Sequence, residues 1–188
     1  TSAEIMLTNG SQQGLDLVCK TFLDEQDYII VEDPSYLAAL GLFHMYNVNV
    51  KAAPLNANGV DTVVLEELFL EYSPKFFYTI PRLHNPLGST YDLATKTAIV
   101  KLAHQYNVYI IEDDYLADFD SRHSLPLHYL DTDNRVIYIK SFTPTLFPAL
   151  RIGAISLPSQ LRDAFIQHKS LIDYDTNLIM QKALSLYI

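Results

Sequence analysis

Scarcity of cysteine, of basic residues and of long apolar runs narrows this 188-residue sequence before any motif is considered. Its single cysteine, Cys19, excludes an intramolecular disulfide framework and suits a reducing compartment. Cys19 falls on an apolar helical stripe with Leu15, Val18 and Phe22, which marks it as a core residue. No apolar stretch approaches the ~18–20 uninterrupted residues that a membrane span needs. No basic-then-apolar leader opens the sequence, so a cytoplasmic location is expected. Lys and Arg number 13 against 22 Asp and Glu, a formal charge of −9. Gripping a phosphate backbone takes clustered cations, so any contact with DNA is expected through a domain outside these residues. The sequence begins at Thr1, without a methionine and already patterned, and is expected to be a piece of a longer protein.

What is there is a chain 49% hydrophobic and 19% charged, enough for one globular domain with a substantial core. Apolar runs rich in Ile, Val, Phe and Tyr predict strands at Ile5–Leu7, Tyr28–Val31, Val48–Ala52, Phe76–Ile80, Val108–Ile111, Val136–Ile139 and Ile152–Leu157. Helical spacing intervenes at Leu15, Val18, Cys19 and Phe22, at Val64, Leu65, Leu68, Phe69 and Tyr72, and at Ile99, Leu102, Ala103 and Tyr106. Strand alternating with helix predicts right-handed βαβ units, hence an α/β fold of three layers, αβα, around a mainly parallel sheet.

Ligands of such sheets sit beyond the carboxyl ends of the strands, so those ends are the places to search. After the first run comes Thr8-Asn9-Gly10-Ser11-Gln12-Gln13-Gly14, where glycine allows close backbone approach and a helix then begins with free N–H groups. That is a phosphate seat by its physics, and an ordinary serine-capped helix is the plainer alternative. Glu32-Asp33-Pro34-Ser35-Tyr36 could present the Tyr36 ring to an aromatic ligand, or merely pack it. In Pro81-Arg82-Leu83-His84-Asn85-Pro86-Leu87-Gly88 the prolines and glycine dictate a loop able to point Asn85 inward as a donor, though Asn before Pro is also a common turn. Glu112, Asp113 and Asp114 close a buried strand, and such carboxylates are costly unless at least one meets something positive; a surface acidic loop is the alternative. Arg151 is a permanently charged fork suited to a phosphate, or a plain surface residue. Metal binding finds little support: His44, His84, His104, His123, His128 and His168 are scattered, without a pair at zinc-site spacing. A Gly-x-Ser-x-Gly nucleophile elbow is also missing.

Taken together, "LTNGSQQGLDL", "VEDPSY", "IPRLHNPLGSTY", "IIEDDYLADF" and "LFPALRIG" resemble the aminotransferase-like domain of fold-type I pyridoxal-phosphate proteins. The similarity is nearest to the MocR subfamily of GntR-type transcriptional regulators and spans essentially residues 1–188. The resemblance implies the large, cofactor-binding domain of that fold. It implies that Gly10, Ser11 and Gln12 cradle the cofactor phosphate with help from Arg151 and that Tyr36 stacks on the pyridine ring. It further implies that Asn85 and Tyr115 bond the phenolic oxygen, that Asp113 pairs with the ring nitrogen, and that Ser141 and Thr143 flank the site. The family's Schiff-base lysine falls on Pro144, whose nitrogen is tied up in the backbone, so no amine stands there. Leu87 replaces a usual threonine and Arg82-Leu83 a usual small residue and histidine, which implies a substrate-facing side that has drifted. Lys140, displaced by ~13 Å of extended chain, is a poor substitute and is expected in solvent at a strand end.

Three readings follow. The first is an effector-sensing domain of a MocR-like regulator that binds a small molecule, PLP-like or amino-acid-like, non-covalently and without catalysis. The second is an aminotransferase acting on an amino acid through an unrecognised lysine. The third is a dimerisation scaffold without cofactor. The first is preferred, because transamination needs an amine that Pro144 cannot supply. Its family implies an amino-terminal winged-helix DNA-binding domain, a carboxyl-terminal small subdomain and a homodimer.

Overall fold

The computed structural model describes residues 4–145, 151–173 and 175–187. Eight strands, β1 (Ile5–Thr8), β2 (Tyr28–Asp33), β3 (Asn49–Asn56), β4 (Gly59–Val60), β5 (Phe76–Thr79), β6 (Tyr109–Asp113), β7 (Val136–Ser141) and β8 (Gly153–Ser156), form one sheet in the order β1-β8-β7-β6-β5-β2-β3-β4. The five central strands, from β7 to β3, run parallel, while β8 is antiparallel to both β7 and β1. The helices are α1 (Ser11–Phe22), α2 (Leu37–Met45), α3 (Thr62–Tyr72), α4 (Leu93–Tyr106), α5 (Leu127–Leu130), α6 (Arg162–Ser170) and α7 (Leu178–Tyr187). This is the three-layer, mostly parallel α/β architecture that the alternation of strands and helices predicts.

Alternation along each strand builds two cores. Ile29, Val31, Tyr78, Ile111, Ile137 and Ile139 pack with Leu15, Val18, Phe43 and Phe165 from α1, α2 and α6. Their neighbours Ile30, Phe77, Ile110 and Val136 turn the other way, onto Leu65, Phe69, Ile99 and Leu102 from α3 and α4. Cys19 lies within the first core at 0% exposure, where burial pushes its thiol up to about 12.

Helix ends follow their sequence signals: Asp61 caps α3 through the N–H groups of Val63 and Val64, and Asp92 caps α4 through that of Thr95. Helix α2 escaped the periodicity reading because its residues, LAALGLFHM, are apolar all round and carry no stripe. The reversal at β8 was also unforeseen; residues 142–152 are a short link by the standard of crossovers between parallel strands. Segment Leu146–Leu150 of the quoted Leu-Phe-Pro-Ala-Leu-Arg stretch lies outside the described residues. Among the described residues no helix is long and apolar enough to cross a membrane.

Candidate functional site

The carboxyl ends of β1, β2, β5, β6 and β7 share one edge of the sheet, and the anticipated residues lie along that edge. Gly10 is the N-cap of α1 at φ 79°, a left-handed conformation that glycine adopts without strain, and no side chain caps the helix. The free N–H groups at the start of α1 therefore remain available to an anion. Arg151 lies directly over this seat, since a Cβ placed on Gly10 would fall 3.0 Å from Arg151 Nη2. Closer still is Gly153, where a Cβ would meet the Gly10 carbonyl carbon at 2.9 Å and the Lys140 oxygen at 3.0 Å. These two glycines let β8, the β1–α1 turn and the Arg151 guanidinium converge. Serine capping, the plainer alternative, does not occur: Ser11 is the first residue of the helix.

Asp113 occupies the end of β6 on the α1 side of the sheet and is 5% exposed. Its Oδ2 accepts a hydrogen bond from Tyr78 Oη at 2.9 Å, whereas its Oδ1 is buried without a partner. Burial pushes the Asp113 carboxyl up to about 7, the Tyr78 hydrogen bond opposes that rise, and the charges of Asp114 and Glu32 add to it. Tyr115 follows, half-buried, within reach of the Asn85 and Tyr36 side chains and of the Asp113 charge. Burial is the main cause that holds the Tyr115 phenol above its ordinary value. Asn85, Tyr36, Asp113 and Tyr115, scattered through the sequence, thus form one neighbourhood. Ser141, 6% exposed, receives the Thr143 N–H on its Oγ at 3.3 Å, and the Thr143 hydroxyl is a second buried polar atom without a partner. Pro144 is half-buried in the turn that follows.

A pyridoxal-type ligand matches these donors in kind. An unpartnered buried carboxylate oxygen calls for a cationic or N–H partner, and an uncapped helix start beneath an arginine calls for an anion.

The three carboxylates at the end of β6 are buried rather than a surface loop, and the two that flank Asp113 are satisfied differently. Glu112 accepts the N–H groups of Leu127 and His128 at 2.8 Å each, at the start of α5, and burial pushes it up to about 8. Asp114 receives the guanidinium of Arg82 and the hydroxyl of Tyr138. Arg82 consequently points into the protein at 8% exposure. Leu87, by contrast, is 52% exposed.

Lys140 also differs from expectation. It is ion-paired to Asp118 and lies over the Phe142 ring, not free in solvent. Its neighbour Ile139 packs towards Gly14 of α1, so alternation turns the Lys140 amine to the opposite face of the sheet from the phosphate seat.

Sequence reasoning missed Tyr78, Glu32 and His84. Buried Glu32 gathers the Thr79 hydroxyl, the Ile80 N–H, the Tyr91 hydroxyl and His84, whose Nε2 lies 3.0 Å from Glu32 Oε2. Tyr78 escaped because only the pairing of β5 with β6, which sets it beside Ile111, puts it on the face of Asp113.

Comparison with known proteins agrees with this geometry. The aminotransferase class I and II family matches residues 1–184. The HTH-type transcriptional regulator YcxD of Bacillus subtilis is 39% identical over 98% of this chain and 42% of its own length. Aromatic-amino-acid aminotransferase 1 of Thermococcus litoralis is 35% identical over 96% of this chain and 45% of its length. Among solved structures, LysN of Thermus thermophilus, an alpha-aminoadipate aminotransferase complexed with N-(5'-phosphopyridoxyl)-L-leucine, superposes with a TM-score of 0.90 at 30% identity, over 95% of this chain and 47% of that one. The chain thus spans less than half the length of the relatives it matches.

Proposed function

Because the chain belongs to the aminotransferase class I and II family, we propose that it is the effector-sensing domain of a MocR/GntR-type regulator, binding pyridoxal phosphate or an amino-acid-like molecule reversibly and without catalysis. The observation that carries this reading is Pro144 in Ser141-Phe142-Thr143-Pro144, where the family motif has its lysine. The regulator YcxD, found beside aminotransferases among the similar proteins, supports the same branch.

In this reading the α1 N-terminus and Arg151 hold the phosphate, and Tyr36 lies against the ring. Asn85 and Tyr115 fix the phenolic oxygen, and Asp113 Oδ1 accepts the ring N–H. A charge-assisted bond to the buried Asp113 favours the ionised carboxylate and so reverses the rise that burial causes. Pyridoxal phosphate, when bound, supplies an electron-withdrawing ring. What position 144 lacks is an amine to form and release a covalent link, and Lys140 is held on the other face by Asp118. The DNA-binding winged helix and the small subdomain belong to the remainder of the protein. The exposed apolar residues Leu37 and Met45 of α2, at 81% and 79%, support a homodimer.

The alternative, an aminotransferase using another lysine, is favoured by the Thermococcus relative. One experiment separates the two. Protein mixed with pyridoxal phosphate is reduced with borohydride, digested and analysed by mass spectrometry, alongside calorimetry without reductant. Reversible binding with no pyridoxyl group fixed within residues 136–151 is expected; a reduced adduct on Lys140 would establish the enzyme reading instead.

A further inference from the structure

Arg82 and Asp114 take no part in the ligand contacts proposed above, yet they join the two loops that supply one of them. Arg82 stands three residues before Asn85, and Asp114 immediately precedes Tyr115. The Arg82 guanidinium grips the carboxylate with two of its nitrogens: Nε donates to Oδ1 at 3.1 Å and Nη2 donates to Oδ2. Its remaining nitrogen, Nη1, donates to the Ser124 carbonyl at 2.8 Å, so the same side chain also secures the segment that follows Tyr115. Asp114 is fixed in turn by the Tyr138 hydroxyl at 2.8 Å and by its own N–H on the Ile139 carbonyl at 2.9 Å. Between Arg82 and His84, which lies against Glu32, Leu83 is left at φ 49°, a left-handed conformation unusual for leucine.

A buried ion pair is a poor source of net stability, because desolvating both charges offsets much of their attraction. Its two-point, planar geometry does something an apolar contact cannot, which is to fix both distance and orientation between two chain segments. We propose that the Arg82–Asp114 pair is a positioning brace that sets Asn85 against Tyr115, and through them the grip on the phenolic oxygen of a pyridoxal-type ligand. The ligand half of this inference rests on the proposed function; the Asn85–Tyr115 half does not.

The test uses the 188-residue chain with ring-Cζ-labelled tyrosine, observed by NMR, and calorimetric titration with pyridoxal phosphate. In the charge-neutral double variant Arg82→Met/Asp114→Asn, Tyr138 keeps an acceptor and no unpaired charge is buried. The Tyr115 resonance is expected to move while those of Tyr28 and Tyr72 stay in place, and the cofactor to bind about tenfold more weakly, the equivalent of roughly one hydrogen bond. Arg82→Lys keeps the charge but not the fork, and is expected to leave Tyr115 displaced in part; it decides the matter if the double variant does not fold. A folded variant with Tyr115 at its wild-type position and unchanged affinity would overturn the brace. Should the wild type bind no pyridoxal phosphate, the proposed function fails, while the Tyr115 resonance still decides whether Arg82 sets the pair.

Discussion

Replacing Asp113 with asparagine isolates the energetic tension at the centre of the candidate site. In the ligand-free protein its carboxyl is pushed from 3.8 up to about 7, with burial the largest cause. A carboxyl raised in the folded state binds its proton more tightly there than in the unfolded chain, so folding stability falls as pH rises from about 4 to about 7. Below that window both states are protonated and the penalty vanishes; above it the penalty is complete. At ~1.36 kcal/mol per pKa unit, Asp113 costs on the order of 1–2 kcal/mol of stability at pH 5 and about 4 kcal/mol at pH 8. Asparagine carries no charge and still accepts from Tyr78, but places an N–H where Oδ1 now lacks a partner, a cost of about 1–3 kcal/mol. The variant is therefore expected to be no more stable than wild type near pH 5 and to overtake it by pH 8, the difference changing by roughly 2–3 kcal/mol across that range. Urea unfolding at pH 5, 6, 7 and 8 measures this directly. Glu112, pushed up to about 8, contributes the same slope to both proteins and cancels. Parallel stability profiles for the two proteins would refute the reasoning. The same variant is expected to bind pyridoxal phosphate more weakly, since the ring N–H loses its anion.

Further expectations concern the phosphate seat and the missing amine. Arg151→Ala is expected to weaken pyridoxal phosphate binding by about 1.5–3 kcal/mol and Tyr36→Ala by about 0.5–1.5, as measured by calorimetry, because a charged hydrogen bond outweighs a stacked ring; equal losses would point to a scaffold without cofactor. Pro144→Lys places an amine seven residues before Arg151, the spacing of the family motif, and adds a backbone N–H that costs about 1–3 kcal/mol if left unpaired. That variant is expected to acquire a coloured, borohydride-fixable link to pyridoxal phosphate while converting amino acids poorly; an intact fold without any such link would mean that the rest of the site has decayed.

Much of this protein was legible in its sequence because the relevant signals are local. Strand runs such as Phe76–Ile80 and helical stripes such as Ile99, Leu102, Ala103 and Tyr106 carry their own periodicity, and two alternating kinds of element already imply a covered parallel sheet. The glycine at position 10 and the proline at 144 could likewise be read one residue at a time, since backbone freedom and the absence of an amine are properties of the residue itself. What the sequence could not disclose depends on which strands become neighbours and which way each side chain turns. Three consecutive acids look alike on paper, yet β6 turns Glu112 to the helix side that caps α5, Asp113 to Tyr78 and α1, and Asp114 to Arg82. Arg82 could be read only as a replacement in the loop before Asn85 until β5 and β6 paired and brought Asp114 beside it. Lys140 looked like a free strand-end cation until the pleat assigned it to the face of Asp118. Composition and spacing determined that a mainly parallel, helix-covered sheet would form; only the register of that sheet decided which charges are buried, which are paired, and which carboxylate oxygen is left without a partner.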